Sequence, residues 1–324
     1  MPAPDTQRVL VTGALGQIGS ELVLALRERH GADNVVATDL RPPEDSGSGP
    51  AFSLDVTDRA ALEAAVTRHR IDTVYHMAAI LSAAGERRPD VCWDVNVGGT
   101  KNVLDVGVAV GLRRIFVPSS IAAFGPEVPR DRTPDETVLR PRSVYGITKV
   151  AGELLVDYYG RRYDLDCRGV RYPGLISHAT APGGGTTDYA VAIYFEAVQS
   201  GRYECFVRED TCLPMMYMPD AIKATLQIMA APRERLTRRG DYNLGAMSFT
   251  VGEQAASIRE LVPDFTVSYV PDYRQAIAES WPRSVDDRAA RADWDWTPDF
   301  DLDAMTRDMI AALRRKQAAG ALEG

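Results

Sequence analysis

The chain has 324 residues, of which 45% are hydrophobic and 25% charged, and its formal net charge is -8 at pH 7. This is the composition of a globular protein, long enough for one large core or two adjoining cores. The acidic balance argues against nucleic acid and against an anionic membrane as the main partner, because both attract clustered lysines and arginines. We therefore expect a small-molecule ligand.

The amino-terminal sequence and the spacing of the cysteines bear on where in the cell the protein is expected. The opening MPAPDTQRVLVTG has neither the basic nor the apolar segment of a signal peptide, and no run reaches the roughly 20 apolar residues of a membrane span. We expect a cytoplasmic protein without membrane contact. The four cysteines form no C-x-x-C pair and the four histidines show no ligand spacing, so we expect reduced thiols and no metal site.

The first half alternates short apolar runs with amphipathic segments, which predicts a parallel sheet covered by helices. Strands are predicted at RVLVTG (8–13), NVVATD (34–39), TVYHMAA (73–79), RIFVPSS (114–120) and DCRGVRYPG (166–174). Helices are predicted over 18–30, 58–69 and 94–110, and from residue 143 onward. With right-handed crossovers, the fold class is α/β, a doubly wound parallel sheet of the Rossmann type, over residues 7–177.

Beyond residue 177 the alternation stops. SHATAPGGGTTDY (177–189) is rich in Gly, Thr and Pro, as a surface loop over a ligand would be. A smaller mixed α/β substrate domain is predicted over 178–212 and 249–320, with 213–248 returning to the Rossmann domain. Asp220 is placed to cap a helix, LVPDFTVSYVPD (261–272) predicts strand, turn and strand, and only 42–50 resembles a low-complexity linker.

A glycine-rich turn follows the first predicted strand. Gly13, Gly16 and Gly19 are spaced G-x-x-G-x-x-G between that strand and the first helix. Glycines there let the backbone turn tightly and approach a pyrophosphate, whose charge meets the positive end of the helix. We expect Gln17 and Ile18 of the same turn to contact the dinucleotide; packing glycines are the structural alternative.

Asp39 ends the second predicted strand, twenty residues after Gly19. A carboxylate there can accept hydrogen bonds from both adenine-ribose hydroxyls and would repel a 2′-phosphate, so NAD is favoured over NADP. We also expect the next residue, Leu40, to contact the cofactor. The neighbouring Arg41 could instead meet a 2′-phosphate, and Asp39 could simply cap a turn.

Further cofactor contacts are predicted one and two strands later. Asp55 and Val56 are placed to contact adenine, although an aspartate there could equally cap the next helix. The end of the strand TVYHMAA has small residues against which a cofactor can lie. A nearby asparagine could hold a neighbouring loop or help to order the site. The residues predicted at this position are Met77, Ala78, Ala79 and Asn96.

Three polar groups are predicted to converge on one substrate oxygen. VPSSIAAFG places Ser119 and Ser120 at the carboxyl end of a strand, where open α/β sheets bind ligands. SVYGITK sets Tyr145 and Lys149 one helical turn apart. A free tyrosine has a pKa of roughly 10, but a nearby ammonium and a positive nicotinamide favour its phenolate. Tyr145 is therefore the predicted base and Lys149 the group that tunes it.

The glycine turn, Asp39, Asp55, HMAA and Tyr145-x-x-x-Lys149 with its upstream serine resemble the extended short-chain dehydrogenase/reductase family over most of the chain. The resemblance implies that the serine orients the substrate oxygen, the tyrosine moves its proton and the lysine also holds the nicotinamide ribose. Counting back from Gly125 selects Ser120 for the serine role. Cofactor contacts are also expected from Pro118 and Tyr172.

The segments MAAILSAAGE, YPGLIS, PGGGTTDYAV, LPMMYMPDAIKA and ESWPRSVDD resemble the short-chain-type L-threonine 3-dehydrogenases. Many nucleotide-sugar enzymes instead follow the last core strand with a Tyr-Gly-Pro turn. The narrower resemblance implies hydride transfer from C3 of L-threonine to NAD, giving 2-amino-3-oxobutanoate, without zinc. Alternatives are a nucleotide-sugar 4-epimerase or another extended family member, and a non-catalytic dinucleotide sensor.

A small zwitterionic substrate needs donors for its carboxylate. Two segments offer hydroxyl and backbone donors, and their predicted substrate contacts are Ser82, Gly185, Thr186 and Thr187. Ser120 and Tyr145 are also predicted to contact the substrate. Trp281 could wall the pocket or anchor the carboxy-terminal part. Asp188 could meet the ammonium group, but a helix-capping or solvated aspartate is the simpler reading.

The family resemblance also implies a homodimer, formed through the helices that follow Asp94 and Ser143. Apolar residues of the second helix could serve either that interface or the core; they are Val144, Ala151, Leu154, Leu155 and Tyr158.

Overall fold

The computed structural model describes residues 7–41 and 49–322, so residues 42–48 of the predicted linker lie outside the described part. Strands are β1 (Val9–Thr12), β2 (Val35–Asp39), β3 (Ala51–Ser53), β4 (Thr73–His76), β5 (Arg114–Phe116), β6 (Ser119–Ser120), β7 (Cys167–Arg168), β8 (Val170–Tyr172), β9 (Gly174–Ile176), β10 (Arg202–Cys205), β11 (Cys212–Tyr217), β12 (Tyr242–Asn243), β13 (Met247–Thr250) and β14 (Thr266–Tyr269). Helices are α1 (Gln17–His30), α2 (Arg59–Arg68), α3 (Ser82–Arg87), α4 (Pro89–Trp93), α5 (Thr100–Val110), α6 (Val144–Tyr163), α7 (Tyr189–Gln199), α8 (Met218–Ala230), α9 (Val251–Arg259), α10 (Arg274–Glu279), α11 (Arg288–Trp294) and α12 (Leu302–Ala318).

Six parallel strands form the central sheet in the order β3-β2-β1-β4-β5-β7. Val9 of β1 lies opposite Val35 on one side and Thr73 on the other. β1 and β4 are buried throughout, as expected of strands covered by helices on both faces. The predicted doubly wound α/β sheet is confirmed. The strand order changes direction beside β1, and the carboxyl ends of the strands at such a point are where open α/β sheets bind ligands. We call this the ligand-binding edge.

Two strands of the sheet continue beyond a bend. β5 resumes as β6 and β7 resumes as β8, and both join β12 in a parallel sheet of order β12-β8-β6. Glycine is required at the bend, because a Cβ on Gly169 would lie 2.1 Å from the carbonyl oxygen of Val117. The extension places Ser120 opposite Tyr172 at the ligand-binding edge.

The helix that carries Tyr145 and Lys149 begins after a serine cap. The Ser143 side chain accepts a hydrogen bond from the Gly146 N–H at 3.1 Å, which satisfies one of the free donors of the first turn of α6. The helix predicted over 94–110 is a π-helical turn, Asp94–Gly99, that continues into α5. Such turns are frequent beside functional sites.

Hydrophobic clusters cover both faces of the sheet, and a further cluster fills the smaller part of the fold. On one face, α2, α5 and α6 contribute residues such as Leu62, Leu104 and Val156. On the other face, α1 and α8 contribute Leu22, Ile228 and their neighbours. The remaining cluster lies among α7, α9 and α12. The sheet edge that binds ligands therefore rests on apolar layers from both sides.

The carboxy-terminal half is mixed, as predicted. β11 pairs in parallel with β9 and antiparallel with β13, while β10 pairs in parallel with β14. Within 213–248, α8 contacts α1 and β12 pairs with β8. The domain boundaries at 177/178, 212/213 and 248/249 stay a prediction.

Two local predictions were wrong. Asp220 lies inside the first turn of α8 and caps nothing; its buried carboxylate accepts hydrogen bonds from the N–H groups of Asp299 and Phe300. Residues 261–272 contain one strand, β14, instead of two, because 261–265 form the turn that follows α9. The first error concerns contacts with a chain segment far away in sequence, which a local pattern does not contain, whereas the second concerns a local turn.

Across residues 7–41 and 49–322, no helix combines the length and the apolar character needed to cross a membrane.

Candidate active site

The turn between β1 and α1 fits closely against its neighbours. Gly13 has a φ of +66°, and a Cβ there would lie 2.6 Å from the backbone nitrogen of Ala78. A Cβ on Gly19 would lie 2.1 Å from the carbonyl oxygen of Gly13. Glycine is therefore required at both positions, by backbone conformation at the first and by space at both.

The first turn of α1 offers backbone donors at the sheet edge. Its N-cap is Gly16, no side chain of the described residues caps it, and its first turn holds no acidic residue. The positive end of the helix dipole is thus available to an anionic group such as a pyrophosphate. Gln17 points across the site and donates to the carbonyl oxygen of Leu175 at 3.5 Å.

Asp39 lies half-buried at the end of β2. Its two carboxylate oxygens accept hydrogen bonds from the N–H groups of Leu15, at 3.0 Å, and Leu40, at 2.7 Å. Asp39 can therefore cap the turn and also accept hydrogen bonds from the adenine ribose, because a carboxylate has acceptor sites for about four hydrogen bonds.

The predicted adenine-contacting aspartate stabilises its own turn. Asp55 accepts hydrogen bonds from the N–H and the hydroxyl of Thr57, at 2.9 and 2.7 Å. The N-cap of α2 is Asp58, not Asp55, so the capping alternative does not apply to Asp55. Val56 is buried against Gly99.

Ser120, Tyr145 and Lys149 line one pocket at the carboxyl ends of the strands. The Lys149 ammonium donates to the carbonyl oxygen of Pro118 at 2.9 Å and lies 5.4 Å from the centre of the Tyr145 ring. The Ser120 hydroxyl accepts from the Ala122 N–H at 3.2 Å. The same pocket is lined by several predicted cofactor residues, namely Gln17, Ile18, Met77, Ala79, Pro118 and Tyr172, and by the predicted substrate residues Ser82, Gly185, Thr186, Thr187 and Trp281.

Burial dominates the electrostatics of this pocket. It raises the pKa of Tyr145 to about 12, while the Ser120 hydroxyl acts in the opposite direction. It lowers the pKa of Lys149 to about 8, against the raising effects of Cys92 and Glu153. The sequence predicted an acidic Tyr145, but burial raises the pKa of this phenol instead. A phenolate at neutral pH would require further positive charge beside the ring.

The predicted substrate hydroxyls bind each other. The oxygens of Ser82 and Thr186 are 3.2 Å apart, and the Thr186 N–H donates to Ser82 at 3.3 Å. One of the two hydroxyl hydrogens remains available to a carboxylate, because the contact between them uses only one. Trp281 lines the pocket and is 5% exposed within the core cluster of the smaller part, so both alternatives stay predictions.

Asp188 shapes the glycine loop beside the pocket. Its carboxylate accepts from the N–H groups of Gly184, at 2.6 Å, and Gly185, at 2.8 Å. Burial raises its pKa, although these backbone donors oppose the shift. The loop is also held from the far side, where Lys316 of α12 donates to the carbonyl oxygen of His178 at 2.6 Å. A role for Lys316 was not predicted.

Asn96 supports the site from behind. It accepts from the Ile80 N–H at 2.8 Å, and its amide donates to the Ile80 carbonyl and to the Thr148 hydroxyl, both at 3.0 Å. These contacts agree with the alternative in which Asn96 holds a neighbouring loop. Asn96 and Ala78 line a small cavity that lies behind Lys149 and outside the main pocket.

Glu86 is a residue that the sequence analysis missed. Its carboxylate accepts from the Val144 N–H at 2.7 Å and thereby caps the helix of Tyr145 from α3. Its position four residues after Ser82 in AILSAAGER was the available signal.

No group of three or more His, Cys, Asp or Glu side chains able to hold a metal ion occurs among the residues that the structure describes.

A family model described as the NAD dependent epimerase/dehydratase family matches residues 9–245, well over half of the chain. The chain belongs to this family. A curated relative, an uncharacterized epimerase/dehydratase of Staphylococcus saprophyticus, is 49% identical over 317 residues, covering 97% of this chain and 99% of the relative.

Solved structures of other proteins are also similar over nearly the whole chain. A monomeric L-threonine 3-dehydrogenase of metagenomic origin, in its apo form, is 52% identical with a TM-score of 0.93, covering 95% of this chain and 99% of its own. A GalE-like L-threonine dehydrogenase of Cupriavidus necator, in its holo form, is 52% identical with a TM-score of 0.93, covering 94% and 99%. These matches support a NAD-dependent oxidoreductase.

Proposed function

We propose that the protein oxidises the C3 hydroxyl of L-threonine to 2-amino-3-oxobutanoate with NAD. The observation that carries this proposal is a single pocket lined by Ser120, Tyr145 and Lys149 together with Thr186 and Trp281. The pocket thus combines acid–base groups with a hydroxyl and an aromatic wall suited to a small polar substrate. The likeness to solved threonine dehydrogenases supports this choice of substrate.

The dinucleotide-binding residues fit NAD. Gly13 and Gly19 leave no room for side chains, and the first turn of α1 offers backbone donors to a pyrophosphate. Asp39 would accept from the ribose hydroxyls with the acceptor capacity that Leu15 and Leu40 leave free. When bound, NAD accepts the hydride from C3 and brings a positively charged ring to the pocket.

Each of the three polar groups has a defined task in the proposed reaction. Ser120 donates its hydroxyl hydrogen to the substrate oxygen, and Tyr145 takes the proton from that oxygen as the C3 hydride departs. Lys149 supplies positive charge close to the Tyr145 ring, which favours the phenolate. Burial is the main reason that the pKa of Tyr145 is raised to about 12, so additional positive charge beside the ring would favour formation of the base.

The substrate end of the pocket would hold the amino acid. The hydroxyl hydrogen left over in the Ser82 and Thr186 pair would be donated to the substrate carboxylate, with Thr187 and Gly185 beside it. Trp281 would exclude water from the reacting centre.

The test is purified protein with NAD and L-threonine, followed by the absorbance of NADH. L-serine, L-allo-threonine and UDP-glucose serve as matched controls. The proposal expects NADH with L-threonine, and no NADH with UDP-glucose. Conversion of UDP-glucose to its 4-epimer without NADH release would instead establish the nucleotide-sugar 4-epimerase alternative.

We also propose that two copies associate through the helices that follow Asp94 and Ser143, the second of which is α6. Leu154 and Tyr158, one turn apart on this helix, are 66% and 54% exposed, and Ile147 is exposed on the same face. A second copy would cover this apolar face, as the homodimer interpretation requires. Sedimentation should give a dimer that Leu154→Glu converts to a monomer; a monomeric unaltered protein would contradict the proposal.

A further inference from the structure

Glu153 lies one turn after Lys149 on α6, and its side chain is buried. Its carboxylate accepts from the Ser119 hydroxyl at 2.5 Å and from two nitrogens of the Arg171 guanidinium, each at 2.7 Å. Arg171 is itself buried, so this is a bidentate ion pair inside the protein. A buried charge is tolerated only with such a set of partners.

The partners of Glu153 belong to the strands that carry the site. Ser119 precedes Ser120 on β6, and Arg171 precedes Tyr172 on β8. Through these two contacts Glu153 joins both strands to the helix of Lys149. This carboxylate therefore adds buried polar contacts from α6 to both strands, beside the pairing of β6 with β8.

A small cavity of about 20 Å³ separates Glu153 and Lys149 from β4. His76 lines it, and its Nε2 has no hydrogen-bond partner in the described part of the chain, while its Nδ1 lies 2.9 Å from the Thr12 hydroxyl. Because the surroundings are buried, a charge on Glu153 acts on Lys149 with little screening.

The Glu153 carboxylate, which forms the ion pair with Arg171, is the negative charge beside Lys149. Burial and the charge of Lys149 lower the pKa of His76 to about 3, so the imidazole is neutral. Burial raises the pKa of the Cys92 thiol above its ordinary value, so that group is neutral as well. The charged and titratable groups facing Lys149 or Glu153 are His76 on β4, Cys92 on α4, Tyr145 on α6 and Arg171 on β8, with Asp135 and Asp241 behind the guanidinium.

We propose that Glu153 is a positioning residue of the dehydrogenase reaction, which keeps Lys149 in its ammonium form and holds the strands of Ser120 and Tyr172 against α6. The inference rests on the proposed function only for the identity of the reaction. The charge of Lys149 is a property of the protein without substrate, so it can be measured separately.

The test is a titration of the lysine side chains by NMR. The chain contains only four lysines, so selective ¹³Cε labelling gives four signals, and Lys149→Met identifies the one of interest. Glu153→Gln removes the attracting charge and is expected to shift the Lys149 midpoint to lower pH by about 1 unit. Arg171→Met removes the opposing charge and is expected to shift the midpoint to higher pH. Shifts in the same direction, or no shift in either variant, would overturn the proposal.

The double variant Glu153→Gln/Arg171→Met covers the case in which a single variant does not fold, because it leaves no unpaired buried charge. Its Lys149 midpoint is expected below that of the unaltered protein, since Glu153 is on the same helix face as Lys149; an unchanged or higher midpoint would refute the idea. In the kinetic arm, kcat should fall at high pH as Lys149 loses its proton. Glu153→Gln should move this fall to lower pH. Failure of the unaltered protein to oxidise L-threonine would refute the proposed function, while the titration still decides the role of Glu153.

Discussion

Cofactor choice provides the sharpest test of the dinucleotide site. In Asp39→Asn the side chain keeps its shape and one acceptor oxygen, so one of the bonds to the Leu15 and Leu40 N–H groups survives. The negative charge at the end of β2 is lost. NADP carries a 2′-phosphate where NAD has a hydroxyl, and the proposal places that group beside Asp39. The substitution should therefore improve NADP use relative to NAD.

The expected size follows from the charge and burial of Asp39. Two unit charges about 4 Å apart near a protein surface interact by about 4 kcal/mol. Asp39 is only half-buried, so solvent screening roughly halves this value, to about 2 kcal/mol. Since about 1.4 kcal/mol is a tenfold change, the kcat/KM ratio of NADP to NAD should rise about 30-fold.

The assay is steady-state oxidation of L-threonine with each coenzyme. Asp264→Asn is the matched control, because it removes the same charge from an exposed position in the smaller part of the fold. An Asp39→Asn enzyme with the coenzyme ratio of the unaltered protein would refute the ribose contact, as would an equal change in the control.

Other predictions address the remaining parts of the site. Tyr145→Phe should lower kcat by about 10² to 10⁴ and leave NAD binding, measured by calorimetry, unchanged; turnover near that of the unaltered enzyme would contradict its role as base. The rate should rise with pH because the base must be deprotonated. Lys149→Met should move the midpoint of this rise to higher pH by about 1 to 3 units, and an unchanged midpoint would argue against an effect of the Lys149 charge on Tyr145. Gly19→Ala places a methyl group 2.1 Å from a carbonyl oxygen of the turn and should weaken NAD binding at least about tenfold, whereas Gly98→Ala, with open space around it in the described part, should not. Thr186→Val should raise the KM for threonine about tenfold with a smaller effect on kcat, and an unchanged KM would exclude the hydroxyl contact.

The parts of the site that the sequence predicts are those in which neighbours in sequence are neighbours in space. The spacing of Gly13, Gly16 and Gly19 places them in one turn, and Tyr145-x-x-x-Lys149 guarantees a shared helix face. The sheet followed from the same kind of local pattern, because buried parallel strands appear as short apolar runs.

Contacts between distant segments were beyond a single sequence. Glu153 and Arg171 look like surface residues in the printed chain, yet they meet in the interior across 18 positions. The bond from Val144 to Glu86 spans 58 positions. The second i, i+4 step, from Lys149 to Glu153 after that from Tyr145 to Lys149, was the available signal for a buried carboxylate. Asp220 failed for the same reason, since its partners lie about 80 residues away.

The pKa of Tyr145 could not be predicted from the neighbouring charge alone. Proximity of Lys149 suggested a low pKa, whereas burial raises the pKa of the phenol and lowers that of the ammonium. Desolvation acts on both charged forms and depends on packing, which a sequence does not give.

The central claim is that a hydride leaves C3 of L-threonine within the pocket of Ser120, Tyr145 and Lys149. L-threonine deuterated at C3 tests it most directly, by mass spectrometry of the reduced cofactor released by the purified enzyme. The account predicts one deuterium in each NADH formed. NADH without deuterium, or no NADH with L-threonine at all, would contradict it.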